Sequence, residues 1–278
     1  MKASGRPVSQ ANPASETSRR LAGKIALVTG ASRGIGRAIA LSLAHQGAHV
    51  IATGRNPMPL AAVKAEIEGL GVNCRTLACD LAQIDKFIDL LESEVKALGS
   101  IDILVNNAGV FKVEPILNHG KSVWDETLAV NLSAPFHLCR YALPQMTAKK
   151  WGRVINISSV SGKLAEPYGV AYCASKFGLI GLTQSLALET AKFGITVNAI
   201  CPGWVLTEMA LKQLGDEQWL KLNNIDPSQS LEIARLSSPQ ERFIEETEIA
   251  DLVVYLCSNQ ARGITGQSIN ICGGLSLR

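Results

Sequence analysis

The chain has 278 residues, 47% of them hydrophobic and 18% charged. This composition excludes a protein that is disordered throughout and predicts a globular protein with a hydrophobic core. Its net charge is +3 and its Lys and Arg residues are scattered, which argues against nucleic acid as the main partner. Its seven cysteines include no CxxC pair and no His cluster accompanies them, so we expect reduced thiols, no metal site and a cytoplasmic location.

Residues 1–21 are polar and rich in Ser, Ala and Pro. They contain no apolar stretch long enough for a signal sequence or a membrane span, so we expect no membrane partner. We interpret this segment as a disordered tail and assign residues 22–278 to a single domain.

From residue 24 onwards, short β-branched runs alternate with longer helical patterns: KIALVT, GIGRAIALSLAHQG, AHVIAT, MPLAAVKAEIEGLG and VNCRTLAC. The alternation continues through IDILVN, a segment from 122 to 149, GRVINIS, a helix containing YCASK, and GITVNAI. Strands that alternate with helices form βαβ units, and continuously apolar strands are covered by helices on both faces. The pattern predicts a three-layered α/β fold with a doubly wound parallel β-sheet of the Rossmann type, whose ligand crevice lies at the carboxyl ends of the strands.

The segment that follows the first strand is rich in glycine and opens a helix. Glycines let the backbone turn tightly and approach a pyrophosphate that rests on the helix N-terminus. The spacing is GxxxGxG rather than GxGxxG, and a plain strand-to-helix turn is the alternative. The flanking strand and helix favour a dinucleotide site formed by Gly30, Ser32, Arg33, Gly34, Ile35 and Gly36.

The end of the second strand indicates which dinucleotide binds. In an NAD-binding unit, an acidic residue about twenty positions beyond the glycines accepts hydrogen bonds from the ribose hydroxyls. Gly54 stands near that place and Arg55 follows it, so Arg55 and Arg33 offer two guanidinium groups to a 2′-phosphate. The pattern favours NADP(H), and two solvated surface arginines are the alternative.

Residues 204–240 interrupt the alternation with an apolar but irregular stretch beside the carboxyl edge of the sheet. We interpret this stretch as a substrate lid, with a packed structural excursion as the alternative. It includes Trp204 and Met209 and no pair of arginines that would bind a carboxylate or a phosphate. This composition favours an apolar or aromatic ketone, or an oxoacyl chain, although the same residues could pack the segment against the body or another subunit.

Seven motifs in this chain resemble, in order, those of the short-chain dehydrogenase/reductase family: TGASRGIG, CDL, NNAG, AVNLS, ISS, YCASK and PGWVLT. The resemblance covers residues 22–275 and is to the compact, single-domain subtype. The stretch VNAICPGWVLTEMA is similar to both 3-oxoacyl carrier-protein reductases and 3-hydroxybutyrate dehydrogenases. The resemblance implies an oxidoreductase that acts on a small-molecule carbonyl or alcohol, and a homo-oligomer, usually a tetramer.

The resemblance also implies which residues act. The catalytic set is Asn131, Ser159, Tyr172 and Lys176. The composition of the lid adds Trp204 and Met209 to Ser159 as expected substrate contacts. The cofactor contacts beyond the glycine loop are Arg55, Asp80, Leu81, Asn107, Ala108, Gly109, Tyr172, Lys176, Pro202, Gly203, Val205 and Thr207. Taken singly, several of these have plain structural alternatives, such as a turn at NNAG or strand-end hydrogen bonds at Ser159.

The residue types match the chemistry of ketone reduction. Hydride adds to carbon while negative charge grows on oxygen, so the site needs a proton donor and positioned hydrogen bonds at that oxygen. Tyr172 is the predicted donor, and we expect the charge of Lys176, one helical turn on, to lower its pKa from about 10. The resemblance implies that Ser159 binds the substrate oxygen and that Asn131 holds a water that relays protons to Lys176.

Three functions remain open at this point. The leading hypothesis is an NADPH-dependent reductase of ketones that also catalyses the reverse alcohol oxidation. The second is an NAD-dependent dehydrogenase of secondary alcohols or 3-hydroxy acids. The third is a non-catalytic NADP(H)-binding sensor, against which the complete catalytic set argues.

Overall fold

The computed structural model describes residues 19–277. Most of the predicted tail, residues 1–18, lies outside the described residues. The last part of that segment is described, and the side chain of Leu21 is 2% exposed and packs in the main hydrophobic core. Leu21, the last residue of the predicted tail, therefore packs against the folded domain.

Seven parallel strands form one sheet in the order β3-β2-β1-β4-β5-β6-β7. The sheet order reverses between β1 and β4, which creates the crevice where ligands bind in such sheets. The doubly wound parallel sheet predicted from the sequence is thus confirmed. The strands are β1 Ile25–Val28, β2 His49–Gly54, β3 Cys74–Ala78, β4 Ile103–Asn106, β5 Gly152–Ile157, β6 Ile195–Pro202 and β7 Ser268–Ile271.

Ten α-helices lie in the described part of the chain. The segment predicted as helical from 122 to 149 is divided by a π-helical turn, Ala129–Ser133, which joins α4 to α5. The helices are α1 Gly34–His45, α2 Pro57–Gly69, α3 Ile84–Leu98, α4 Lys121–Leu128, α5 Ala134–Lys149, α6 Val170–Thr190, α7 Glu208–Leu214, α8 Glu217–Leu222, α9 Ser230–Leu236 and α10 Glu246–Cys257. None of the helices in residues 19–277 is long and apolar enough to cross a membrane.

The helices cover the sheet on both faces because each strand sends apolar side chains in both directions. In β1, Ala26 and Val28 pack with α1, α2 and α10, whereas Ile25 and Leu27 pack with α3 and α5. Alternate residues of a strand point to opposite faces, so a continuously apolar strand needs cover on both. This is the physical origin of the three layers.

The segment 204–240, expected to be irregular, is largely helical. It contains α7, α8 and α9, and it has a small core of its own formed by Leu214, Trp219, Leu220 and Ala234. The rings of Trp204 and Trp219 meet edge to face with centroids 6.3 Å apart. The segment lies along the carboxyl ends of the strands, where it borders the site.

Candidate active site

A cleft of about 1000 Å³ opens at the carboxyl ends of the strands. All but one of the predicted site residues line it, and Asn131 is the exception. The lining members are Gly30, Ser32, Arg33, Gly34, Ile35, Gly36, Arg55, Asp80, Leu81, Asn107, Ala108, Gly109, Ser159, Tyr172, Lys176, Pro202, Gly203, Trp204, Val205, Thr207 and Met209.

The glycine loop brings the N-terminus of α1 to the wall of this cleft. Gly30 has φ +66°, a left-handed conformation that glycine adopts without strain. A Cβ atom at Gly36 would lie 2.2 Å from the carbonyl oxygen of Gly30 and 2.4 Å from Nδ2 of Asn107. The first turn of α1 has no side-chain cap, so its free N–H groups are available to an anion. The loop therefore fits the pyrophosphate of a dinucleotide.

A buried threonine joins this loop to the next strand of the crevice. The hydroxyl of Thr29 accepts hydrogen bonds from the backbone N–H groups of Asn107 (2.9 Å) and Ala108 (3.0 Å) and donates one to the carbonyl oxygen of Val105 (3.3 Å). In return, the side chain of Asn107 donates to the carbonyl oxygen of Thr29 at 2.8 Å. These bonds hold the NNAG segment at the end of β4 against the end of β1.

Charged groups surround the end of β2. Arg55 is exposed immediately after the strand, and a Cβ atom at Gly54 would lie 3.3 Å from the side chain of Ser32. Arg33 forms an ion pair with Glu208, the first residue of α7, and Glu208 also binds Lys212 at 2.8 Å. The guanidinium of Arg33 thus has a carboxylate partner on the far side of the cleft, which sequence reasoning did not predict.

Strand β5 and helix α6 bring three of the predicted catalytic residues together. The ammonium of Lys176 is buried, donates to the carbonyl oxygen of Ile157 at 2.8 Å and lies 5.5 Å from the ring centroid of Tyr172. Ser159 lies close enough to Tyr172 to lower the pKa of its phenol. Ser159 Oγ also accepts from the backbone N–H of Ser161 at 3.0 Å, so a neighbouring loop fixes its position.

Asn131 lies next to this cluster, in the π-helical turn. Its amide oxygen accepts from the N–H of Val110 at 2.8 Å, and its Nδ2 donates to the carbonyl oxygen of Val110 at 2.9 Å and to Oγ of Ser175 at 3.1 Å. The side chain therefore anchors the segment after NNAG to α6. The predicted water relay stays a prediction.

The environment of Tyr172 contradicts one expectation from the sequence. Burial raises the pKa of its phenol, and the hydrogen bond from Ser159 offsets only part of that effect. Burial also lowers the pKa of Lys176 to about 8. The prediction that the pKa of Tyr172 is lowered was wrong for this structure, because the sequence shows a nearby charge but not the burial. Tyr172 is a neutral phenol near pH 7, the form that donates a proton.

The remaining predicted residues have local structural partners as well. Oδ1 of Asp80 accepts from the N–H of Ala82 at 3.0 Å, and the hydroxyl of Thr207 caps α7 by accepting from the N–H of Ala210 at 3.3 Å. The N–H of Gly203 donates to the carbonyl oxygen of Ile271 at 2.8 Å, which fixes the backbone after β6.

Sequence reasoning missed four residues at the site. Thr29 had one signal, a polar residue that ends an apolar strand. The ring of Phe111 meets that of Tyr172 edge to face at 5.0 Å, and Glu166 lines the cleft and acts electrostatically on Tyr172. Glu208, the partner of Arg33, is the fourth. No motif marks the last three, because only the fold brings them to the cleft.

Residues 24–218 match the family described as short chain dehydrogenase. The chain belongs to this family. It is 40% identical to D-beta-hydroxybutyrate dehydrogenase of Rhizobium meliloti over 254 residues, which cover 90% of this chain and 98% of that protein. It is also 40% identical to 3-oxoacyl-[acyl-carrier-protein] reductase of Staphylococcus aureus over 255 residues, which cover 91% of this chain and 98% of that protein.

Solved structures of the short-chain dehydrogenase family have the same fold. The structure of a point variant of actinorhodin polyketide ketoreductase with NADPH superposes with a TM-score of 0.86 at 33% identity, covering 92% of this chain and 98% of that one. The protein is therefore an oxidoreductase that acts on CH–OH and ketone groups and binds a nicotinamide cofactor. The glycine loop and the uncapped start of α1 fit such a cofactor.

Proposed function

We propose that the protein is an NADPH-dependent reductase of ketones, which also catalyses the reverse oxidation of alcohols. The observation that carries this proposal is the grouping of Ser159 and Tyr172 in one cleft with the buried ammonium of Lys176, which lies 5.5 Å from the ring centroid of Tyr172. The phenol of Tyr172 is in its protonated form near neutral pH, as a proton donor must be. Asn131, Ser159, Tyr172 and Lys176 are the proposed catalytic residues.

The proposed mechanism assigns a step to each side chain. The nicotinamide supplies the hydride when it is bound. Tyr172 gives its phenolic proton to the substrate oxygen as charge develops there, and Ser159 donates its hydroxyl proton in a hydrogen bond to the same oxygen. The N–H of Ser161 donates to the oxygen of Ser159 and so fixes the position of that hydroxyl. Lys176 stabilises the phenolate that remains, at 5.5 Å from its ring centroid.

The proposed preference for NADPH rests on the end of β2. Gly54 supplies no carboxylate for ribose hydroxyls, and Ser32 leaves little room for a side chain there. Arg55 is exposed beside this position and is the proposed partner of the 2′-phosphate. Arg33 would join it by exchanging Glu208 for the phosphate. The ketoreductase relative whose structure contains NADPH supports the same choice.

The proposed substrate is an apolar or aromatic ketone or an oxoacyl compound. Trp204, Met209 and Phe111 give the cleft an apolar wall beside Tyr172, and the reductase of Staphylococcus aureus is a relative named for an oxoacyl substrate. A second candidate is an NAD-dependent dehydrogenase of 3-hydroxy acids, which the equal identity to D-beta-hydroxybutyrate dehydrogenase favours. A nucleotide sensor would need no catalytic set, so undiminished biological activity of Tyr172→Phe would favour that third reading.

We also propose a homotetramer in the cytoplasm. Trp124 on α4, Phe136 on α5 and Phe177 on α6 are 37%, 46% and 45% exposed, and they give these helices apolar surface for contact with other subunits. The seven cysteines are free thiols, as in proteins of reducing compartments. Analytical ultracentrifugation tests the assembly, and a monomeric mass at working concentration would contradict it.

A panel of ketones assayed with NADPH and with NADH tests the proposed function. We expect wild type to prefer NADPH, and we expect Arg55→Ala to raise the KM for NADPH about 10- to 100-fold, because a charge-assisted hydrogen bond is lost. The KM for NADH should stay unchanged in that variant. Lys64→Ala, an equivalent loss of a cation on α2 outside the cleft lining, is the control. Equal KM values for NADPH in wild type and Arg55→Ala would contradict the cofactor assignment.

A further inference from the structure

One carboxyl group at the substrate end of the cleft has no part in the mechanism above. Glu166 lies in the loop between β5 and α6, half-buried, and lines the same cleft as Tyr172. A Cβ atom built on Gly169 would lie 3.5 Å from Oε1 of Glu166 and 3.5 Å from Cε2 of Phe111. The carboxyl group and the ring of Phe111, which contacts Tyr172, therefore flank the same point in the wall.

The structure holds Glu166 firmly in this place. Its Oε1 accepts a hydrogen bond from the hydroxyl of Ser161 at 3.0 Å. Its backbone N–H donates to Sγ of Cys173 at 3.5 Å, and its carbonyl oxygen accepts from the same thiol at 3.8 Å. Ser161 also holds Ser159 and Cys173 adjoins Tyr172, so Glu166 is tied to both sides of the reacting centre.

Two cations that line the cleft near the lid are already paired with other carboxylates, and the ammonium of Lys176 donates to the carbonyl oxygen of Ile157. Lys112 binds Glu126 at 2.8 Å and Lys212 binds Glu208 at 2.8 Å. No Lys, Arg or His among residues 19–277 lies within ion-pair distance of Glu166. Burial raises the pKa of the Glu166 carboxyl, and when the group is ionised no cation within ion-pair distance among the described residues compensates its charge.

We propose that Glu166 is a specificity-determining residue that makes the site select uncharged ketones, such as 3-oxoacyl esters and thioesters, over ketones that carry a free carboxylate near the reacting carbonyl. The inference rests on the proposed ketone reductase function. A substrate carboxylate would approach a like charge in a partly buried site, where charges are poorly screened. An ester of the same shape has no such penalty.

Electrostatics at the site agree with this assignment. The negative charge of Glu166 is one of the influences that raise the pKa of Tyr172, so the two groups lie close enough to interact electrostatically. Of the two relatives with 40% identity, the assignment favours the oxoacyl reductase as the guide to substrate class.

The test compares acetoacetate with its neutral counterpart methyl acetoacetate, at saturating NADPH. We expect wild type to reduce the ester with the higher kcat/KM. We expect Glu166→Gln to raise kcat/KM for acetoacetate about tenfold relative to the ester, as loss of one like charge at a partly buried site predicts. Glu246→Gln removes the same charge from the same cleft near the glycine loop and is the matched control, with an unchanged ratio.

The outcomes separate this inference from the proposed function. A ratio that is unchanged in Glu166→Gln, or that rises equally in Glu246→Gln, would overturn the role of Glu166 while ketone reduction stands. A wild-type enzyme that reduces the free acid as well as the ester would do the same. Failure of wild type to reduce either compound, or any ketone of the panel, with NADPH or NADH would overturn the proposed function and this inference with it.

Discussion

Replacement of Thr29 by valine tests the bonds that hold the two sides of the crevice together. Thr29 is 1% exposed, and its hydroxyl makes three hydrogen bonds. The substitution keeps the shape of the side chain and removes this hydroxyl. Two backbone N–H groups, those of Asn107 and Ala108, then lose their acceptor. A buried donor left without a partner costs about 1–3 kcal/mol, so we expect the free energy of unfolding to fall by about 2–4 kcal/mol.

Thr53 on β2 offers a matched control. It is also 1% exposed, and its hydroxyl makes no hydrogen bond to the described residues. Thr53→Val removes a buried polar atom that has no partner, so we expect unchanged stability or a gain of about 1 kcal/mol. The two variants differ in what their hydroxyls bind and in little else.

Urea unfolding followed by tryptophan fluorescence, at one protein concentration, measures the difference. The expected loss moves the midpoint of Thr29→Val down by about 1 M urea, given the usual dependence of unfolding free energy on denaturant. The midpoint of Thr53→Val should equal or exceed that of wild type. Equal midpoints for the two variants would refute the reasoning, because they would mean that the three bonds of Thr29 contribute nothing to stability.

Two further predictions concern the reaction and the glycine loop. Burial lowers the pKa of Lys176 to about 8, so its ammonium is charged below that pH. We therefore expect kcat for ketone reduction to fall as pH rises through about 8, and a pH–rate profile that stays flat to pH 10 would contradict this. Gly36→Ala should abolish nicotinamide binding in a fluorescence titration and lower the free energy of unfolding by about 1–3 kcal/mol, because the added Cβ atom would clash with Gly30 and Asn107. Gly69→Ala is the control, because nothing lies within 4 Å of its added Cβ atom, and it should change neither quantity.

The sequence predicted the layers and the sheet because the information is local in the chain. A continuously apolar strand such as Ile25–Val28 needs helices on both faces wherever it occurs. A glycine-rich turn between a strand and a helix favours a phosphate-binding loop. The order of the motifs indicated the family, and the fold places all of the predicted site residues except Asn131 in the lining of one cleft. Each of these inferences depends on neighbours within a few positions.

The sequence failed where the outcome depends on contacts between distant segments. Arg33 and Glu208 are separated by 175 positions, and no pattern around either residue predicts their ion pair. The pKa of Tyr172 depends on how deeply α6 is buried, which YCASK does not encode. The helices of the lid are six or seven residues long, too short for a clear amphipathic period, so their helicity comes from the packing of Trp219 and its neighbours.

The hydrogen bonds between Thr29, Asn107 and Gly30 give the crevice its shape through the protein's own backbone. A ligand that enters such a crevice has little loop ordering to induce. The entropic cost of its binding is then mostly the ligand's own loss of translational and rotational freedom. Little of the free energy of its contacts is spent on reorganising the protein.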